Sequence, residues 1–390
     1  MVRASIVGAG MTRFGVHGDV TLPELFADAA LDAVDDAGVS LGELDAVYFG
    51  NTTGSVSEND SHLSSKVASQ LGIAGIPCQR FEDACATSAT ACKHAVQAIE
   101  SGRHDVVLVG GAERCTPASG LETPEMTKIF SSASHRQYEQ PTGLTFPGLF
   151  ALLTKRHMHE YGTTERQLAE VAVKNHYLGS LNPRAHFGKE TTVEEVLDSP
   201  VIADPFRLMD CCPFSDGASA ILVVSEDAAD SYDAEPVDIA GIGHSSGRIP
   251  VAEQAALSAT AAARRAATEA YEQSAVTPDD VDVVEVHDCF TGAEVLATEA
   301  IGLFDDGAGA EAAAAGRTRI GGDVPVNPSG GLKAKGHPIG ATGTAQLVEL
   351  TEQLRGVAGR RQVEDATTGV AHNLGGEAAT TVVTVVEART

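Results

Sequence analysis

Four short segments of this chain carry the residue types that nucleophilic and proton-transfer chemistry needs. Cys85 lies in FEDACATSATACKHAVQAIESG, where Ala84, Ala86, Thr87, Ser88 and Ala89 surround it as a helical pattern begins. A thiol at a helix N-terminus faces unpaired N–H groups and the positive end of the dipole, so this position favours thiolate. His287-Asp288-Cys289-Phe290 stands where the apolar run VVEV ends. Carboxyl ends of strands open onto the ligand crevice in α/β folds, and side chains two apart share a side of an extended backbone. His287 and Cys289 therefore both qualify as proton carriers. Residues 327–347, NPSGGLKAKGHPIGATGTAQL, make a Gly-rich loop that presents His337, stiffened by Pro338, ahead of another helix. His372-Asn373-Leu374-Gly375-Gly376 reads as a tight link between strands whose N–H groups can point inward as an oxyanion hole.

Taken singly, Cys85 fits an ordinary packed cysteine equally well, and HNLGG an ordinary hairpin. No CxxC or HxxxH spacing accompanies HDCF, so no metal site is expected. Lys333 and Lys335 lack the GxxxxGK[ST] order of a nucleotide-hydrolysing loop. The opening MVRASIVGAGMTRFG lacks the last Gly of a dinucleotide fingerprint and reads as a first strand.

The elements that must position these residues repeat. Thr21-Leu22-Pro23-Glu24 has the form of a capping box; Leu25, Phe26, Ala29, Ala33 and Val34 follow at helical spacing, and Gly38 ends the helix. SLGELD then leads into AVYFGN, as TPDD later leads into VDVVEVHD; Ser40 pairs with Thr277, and Asp45 with Asp282. Cys85-Ala86-Thr87-Ser88 opens one helix as Gly340-Ala341-Thr342-Gly343 opens another. Strands alternating with helices predict a duplicated α/β protein: a first half over 1–230, a second over 236–390, and an insert at about 115–205, with a helix from Glu165, that shapes a substrate tunnel.

Composition narrows the partners. With 27 Lys+Arg against 54 Asp+Glu, the net charge of −27 repels nucleic acid and anionic lipid. No apolar run is long enough to span a membrane and no secretory leader opens the sequence, which predicts a soluble, cytoplasmic protein. Seven Cys, including the adjacent Cys211 and Cys212, imply no disulfide framework.

In combination, the small-residue helix start at Cys85, HDCF, GHPIGATG after NPSGG, and HNLGG resemble the thiolase superfamily over nearly the whole chain. Most thiolases carry Asn-Glu-Ala-Phe and Cys-x-Gly where this chain has HDCF and HNLGG; the departures are similar to sterol-carrier-protein-type and archaeal acetoacetyl-CoA thiolases. The resemblance implies layered αβαβα halves with a loop domain, and acetyl-CoA C-acetyltransferase activity on CoA thioesters without a permanently bound cofactor. Cys85 would be the nucleophile and His337 its base. Cys289, ahead of His287 and then His372, would take the α-proton. The oxyanion hole would comprise N–H groups of Cys85 and of Leu374 or Gly375. Met158 and Ser245 would hold pantetheine, and Arg207, Lys333 or Arg248 the CoA phosphates. Another condensing acyl-CoA or ketoacyl synthase, or a non-catalytic acyl-CoA or lipid carrier, shares the same motifs. The implied partners are a second copy in a homodimer or tetramer, a small OB-fold zinc-ribbon subunit and hydroxymethylglutaryl-CoA synthase. The implied pathways are mevalonate or polyhydroxyalkanoate synthesis.

Only eight of the basic residues are Lys. An acidic, Lys-poor surface that stays hydrated when salt screens its repulsion points to a salt-loving, haloarchaeal source. Refolding yield and activity are expected to rise from dilute buffer to molar KCl; full activity in dilute buffer contradicts this.

Overall fold

The computed structural model describes residues 4–389 except Ala255 and Ala259, so Met1–Arg3 of the expected first strand lie outside the described residues. Eleven strands follow in chain order: β1 (Ala4–Met11), β2 (Ala46–Gly50), β3 (Cys78–Phe81), β4 (Val106–Glu113), β5 (Val201–Ala203), β6 (Phe206–Arg207), β7 (Gly217–Ser225), β8 (Val237–Ser246), β9 (Val283–Val286), β10 (Thr368–Gly375) and β11 (Thr380–Ala388). Nine of them form one mixed sheet in the order β3-β2-β4-β7-β1-β8-β11-β10-β9, and β5 and β6 form a separate ribbon. The seam is the antiparallel pairing of β1 with β8 across Ser5 and Asp238. There the Ser5 hydroxyl donates to the Asp238 carboxylate at 2.6 Å, and Arg389 reaches the same carboxylate at 2.7 Å.

Around this sheet the helices make an αβαβα stack. The helix Leu22–Ala37 packs on β1, β7 and β4, and Ala261–Ser274 packs on β8 and β11. Between the two parts of the sheet lie Thr87–Glu100 and Thr342–Leu354; the second touches β1, β4 and β7 as well as β9, β10 and β11. One apolar cluster around Ala95, Ile99, Val348 and Leu350 fills this middle layer. Close approach of the outer helices needs bare backbone. A Cβ on Gly10 would sit 2.2 Å from the Ala29 carbonyl, and one on Gly243 would sit 1.9 Å from that of Ala266.

Local polar chemistry repeats with the fold. Thr21 caps its helix in the expected box, with the Thr21 N–H donating to Glu24 at 2.8 Å, and Gly38 closes it at φ +66°. Asp45 accepts the N–H groups of Asp105 and Val106, and Asp282 accepts those of Thr367 and Thr368. Each carboxylate thus anchors the start of the strand beside its own. Two aligned residues do the same physical work in both halves.

Between β4 and β7 the chain makes its long excursion, whose helices Phe146–Tyr161 and Glu165–Ser180 pack on the helix Thr291–Ala300. A buried polar network joins them. Lys174 donates to Glu294 at 2.6 Å and to the Val326 carbonyl at 2.8 Å. Asn175 bridges Asp288 and Glu294, and Asn327 reaches Glu294 at 2.9 Å. Removing one partner of a buried ion pair strands the other charge. Lys174→Met is therefore expected to lower unfolding free energy by about 3–5 kcal/mol in urea titrations; a loss below about 1 kcal/mol would show the pair to be dispensable.

Candidate active site

The turn before the helix Thr87–Glu100 throws Cys85 forward. Ala84 takes a left-handed φ of +47°, a strained choice for a residue with a Cβ. Thr87 holds it there: its hydroxyl donates to the Ala84 carbonyl at 2.6 Å and accepts the Asp83 N–H at 2.8 Å. The helix end does not leave the thiol ionised, which corrects the expectation from the dipole. Burial pushes the Cys85 thiol up to about 12; an N–H from Gly376 pulls it down, while the charges of Glu113 and Glu82 push it further up. Loss of water outweighs the helix terminus. Cys85 is a thiol that needs a base.

Two imidazoles stand beside it. The sulfur of Cys85 and one ring nitrogen each of His287 and His337 lie within 4.8 Å of one another, and the two rings meet edge to face with centroids 4.9 Å apart. The three residues come from three segments, and each arrives for a separate reason. His337 follows Gly336, at φ +113°, in a loop whose Gly340 N–H is held at 3.1 Å by the buried carboxylate of Glu113 at the end of β4. That carboxylate also takes the N–H groups of Thr52 and Thr53, so the loop of the second half is bolted to the first. His287 leaves the end of β9, where Asn327 accepts the Val286 N–H and Asp288 accepts that of Leu332. Burial among these charges lifts the Asp288 carboxyl to about 7.

Hydrogen bonds give the two rings opposite tautomers. The Thr342 hydroxyl donates to the Pro338 carbonyl at 3.0 Å, so it accepts from His337 Nδ1, 2.7 Å away. With that donation the proton sits on Nδ1 and Nε2 keeps a free lone pair. The Asn373 side-chain amide donates to His287 Nδ1 at 3.0 Å, which puts the His287 proton on Nε2. His287 Nε2 is buried without a partner among the described residues. Burial keeps both rings neutral: His337 is lowered to about 3 and His287 well below the ordinary histidine value, in the latter case with the neighbouring His337 and His372 adding to the effect. The cleft thus offers a base and a donor side by side.

Other expected residues fall at greater or lesser remove. Cys289 is buried beside Phe290 and Leu374, with its carbonyl accepting the Cys212 N–H at 3.0 Å, and burial holds its thiol far above the ordinary range. His372 lies within β10, the strand paired with β9: its Nδ1 is 3.5 Å from the His287 backbone nitrogen, and burial lowers it to about 4. HNLG is strand rather than turn; the turn is residues 376–379, and the N–H that meets the thiol belongs to Gly376, one residue past Leu374 and Gly375. The pairing of β10 with β11 down to Gly375 and Thr380 explains the shift. Ser245 is turned away, accepting from Arg265 of the outer helix at 2.8 Å, because alternation along β8 gives the inner face to His244. Met158 sits half-buried on the helix Phe146–Tyr161, outside the cluster. Lys333 is buried with its ammonium 3.4 Å from His176, and the two line a separate cavity of about 490 Å³ with Cys211 and Cys212. Arg207 leans on Glu165, whereas Arg248 lines a surface cavity of about 420 Å³ with Ser246, Arg265 and Ala378.

A second cavity, about 280 Å³, opens onto Cys85 and is walled by Thr52, Ile339 and, from the insert, Ile129, Phe130 and Phe146. Asn373, Thr342 and Gly376 were not singled out from sequence, though all lie inside the GATG and HNLGG motifs; only their pairing with specific ring atoms and the thiol reveals what they do. Neutral buried histidines also set an acid limit. Their folded values lie below the unfolded value, so the unfolded chain binds more protons and stability falls as pH drops below about 6.5. The decline in Tm from pH 7 to pH 5 is expected to be shallower in His372→Gln than in the parent; an unchanged slope would contradict a neutral buried His372.

Comparison with known proteins agrees with this architecture. The family model described as the thiolase N-terminal domain matches residues 4–227, and the thiolase C-terminal domain-like model matches residues 243–388. The chain is 43% identical to the acetyl-CoA acetyltransferase of Methanothermobacter thermautotrophicus, over 97% of this chain and 98% of that protein. It is 35% identical to human sterol carrier protein 2, over 96% of this chain and 70% of that protein. Among solved structures, the Ltp2-ChsH2(DUF35) aldolase superposes with a TM-score of 0.85 at 26% identity, covering 99% of this chain and 98% of that one. A monomeric SCP2-thiolase-like protein from Mycobacterium smegmatis, at 18% identity and a TM-score of 0.76, shares the fold across the whole chain and 78% of its own. With family matches in both parts of the sequence and relatives that run its length, the chain belongs to the thiolase family.

Proposed function

We propose that the protein is an acetyl-CoA C-acetyltransferase that condenses two acetyl-CoA into acetoacetyl-CoA and CoA, or runs the reverse cleavage, through a thioester on Cys85. The observation that carries this reading is the grouping of one half-buried thiol with a ring nitrogen that is free to accept a proton and another that is set to donate one. In the first half-reaction His337 Nε2 takes the Cys85 proton, and the sulfur attacks the acyl carbon. The oxyanion collapses with release of CoA, which takes the proton back from His337. His287 Nε2–H and the backbone N–H groups at Cys85 and Gly376 are the donors available to oxygen as it gains charge. In the second half-reaction an acetyl-CoA must lose its α-proton while its carbonyl oxygen is held. We assign the proton to Cys289, ahead of His287 and His372; because burial keeps this thiol protonated, it must first hand its own proton to a bare imidazole nitrogen such as His337 Nε2, and the resulting thiolate then takes the α-proton.

Pantetheine is taken to enter by the cavity that reaches Cys85 past Phe130 and Phe146, with Arg248 and Arg265 as candidates for the CoA phosphates. The closely related archaeal acetyl-CoA acetyltransferase supports the reaction; sterol carrier protein 2 among the relatives keeps a carrier role as the competing reading. The division into halves at 1–230 and 236–390, assembly as a homodimer or tetramer, work beside a zinc-ribbon OB-fold subunit or hydroxymethylglutaryl-CoA synthase, and a cytoplasmic setting belong to the same proposal.

Incubation with acetyl-CoA is expected to leave one acetyl group on the Cys85 peptide by mass spectrometry; a carrier would show none. Cys85→Ser is expected to abolish acetylation. Cys289→Ala is expected to spare it and stop carbon–carbon bond formation, and survival of both steps in Cys289→Ala would overturn the base assignment.

A further inference from the structure

We infer that Cys85, His287 and His337 also form a binding site for one soft divalent cation, zinc being the natural case, whose fourth position suits a free thiol such as that of CoA. The site is not foreshadowed by sequence spacing, because its donors come from positions 85, 287 and 337 and meet only in the folded chain. A tetrahedral zinc ion with one sulfur and two imidazole donors holds them about 3.3–3.6 Å apart. The three donor atoms lie within 4.8 Å of one another, so an ion needs them to close by about 1 Å. One thiolate and two neutral imidazoles are a donor set that zinc prefers to calcium- or magnesium-like ions.

A second observation points the same way. His287 Nε2 is wholly buried yet has no hydrogen-bond partner among the described residues, and the same holds for the Asn373 side-chain oxygen. If the Asn373 amide turns over, that oxygen accepts from His287 Nδ1–H, and Nε2 gains the lone pair a metal needs. The Asn373 oxygen and His287 Nε2 are then both engaged, with the amide nitrogen taking the place the oxygen left. His337 is already in the ligating tautomer, with Nδ1 held by Thr342. Charge also fits: a thiol whose ionisation desolvation opposes is stabilised as thiolate by a dication.

The proton balance is explicit. Binding of one M²⁺ breaks the Cys85 S–H bond, forms a metal–sulfur bond and releases one proton; the imidazoles bind neutral and release none. A thiol taking the fourth place loses a second proton. Free CoA would then be trapped as a dead-end complex, whereas an acetyl thioester, having no thiol, could not join it. This last step rests on the acyl-transfer reading above; the three-donor site does not.

Cobalt(II), which shows its ligands by absorption, provides the test on the freshly reduced full-length chain. One equivalent is expected to bind, with a thiolate-to-cobalt charge-transfer band and release of one proton. The band should vanish in both Cys85→Ala and Cys85→Ser, and affinity should fall by at least about tenfold in His287→Gln and in His337→Gln, with circular dichroism reporting that each variant is folded. CoA should tighten cobalt binding and desulfo-CoA should not. A band that persists without Cys85, or none at all, overturns the metal site and leaves acyl transfer untouched. Cys85-dependent binding that CoA leaves unchanged overturns the ternary complex and counts against CoA reaching Cys85.

Discussion

A half-buried thiol whose ionisation is opposed by desolvation is the constraint on which this structure turns. Desolvation raises Cys85 to about 12, so its reactivity depends on a nitrogen close enough, and bare enough, to take the proton directly. The fold supplies that nitrogen through Thr342, which pins the proton of His337 on the far side of the ring. It supplies the complementary donor through Asn373, which pins that of His287 on the near side. Neither ring is charged in the folded state, so proton traffic in the cleft starts from neutral partners and creates charge only as bonds change.

Those ring positions depend on contacts between the halves. Glu113 at the end of β4 holds the loop carrying His337, and the Gly376 N–H from the β10–β11 turn meets the sulfur of the first half. On the other flank, Lys174 and Asn175 of the insert brace the segment that carries His287. Duplication therefore does more than enlarge the core. The nucleophile stands in one copy and both imidazoles in the other, and the middle layer of helices fixes the distance between them.

Much of this was legible in sequence, and the reasons are local. The Thr21 box, the Gly38 stop, the helix after Cys85 and the strand end at His287 follow from capping, glycine and periodicity, which act within a few residues. The equivalence of Asp45 and Asp282 could be read because each serves the strand next to it. What could not be read depends on burial or on register. The thiol was expected to be ionised because a helix terminus is visible in sequence and desolvation is not. Ser245 was expected at the ligand because the alternation of β8 can be phased only once its pairing with β11 is known. The approach of Lys333 to His176 could not be read either, because the two meet only in the folded chain.

The central claim is that the two imidazoles facing Cys85 are neutral and hold their protons on opposite nitrogens. Nitrogen-15 NMR of histidine-labelled protein at neutral pH reads this directly. The account predicts a bare Nε2 and protonated Nδ1 for His337, with the reverse for His287. An imidazolium in either ring, or the same tautomer in both, would contradict it.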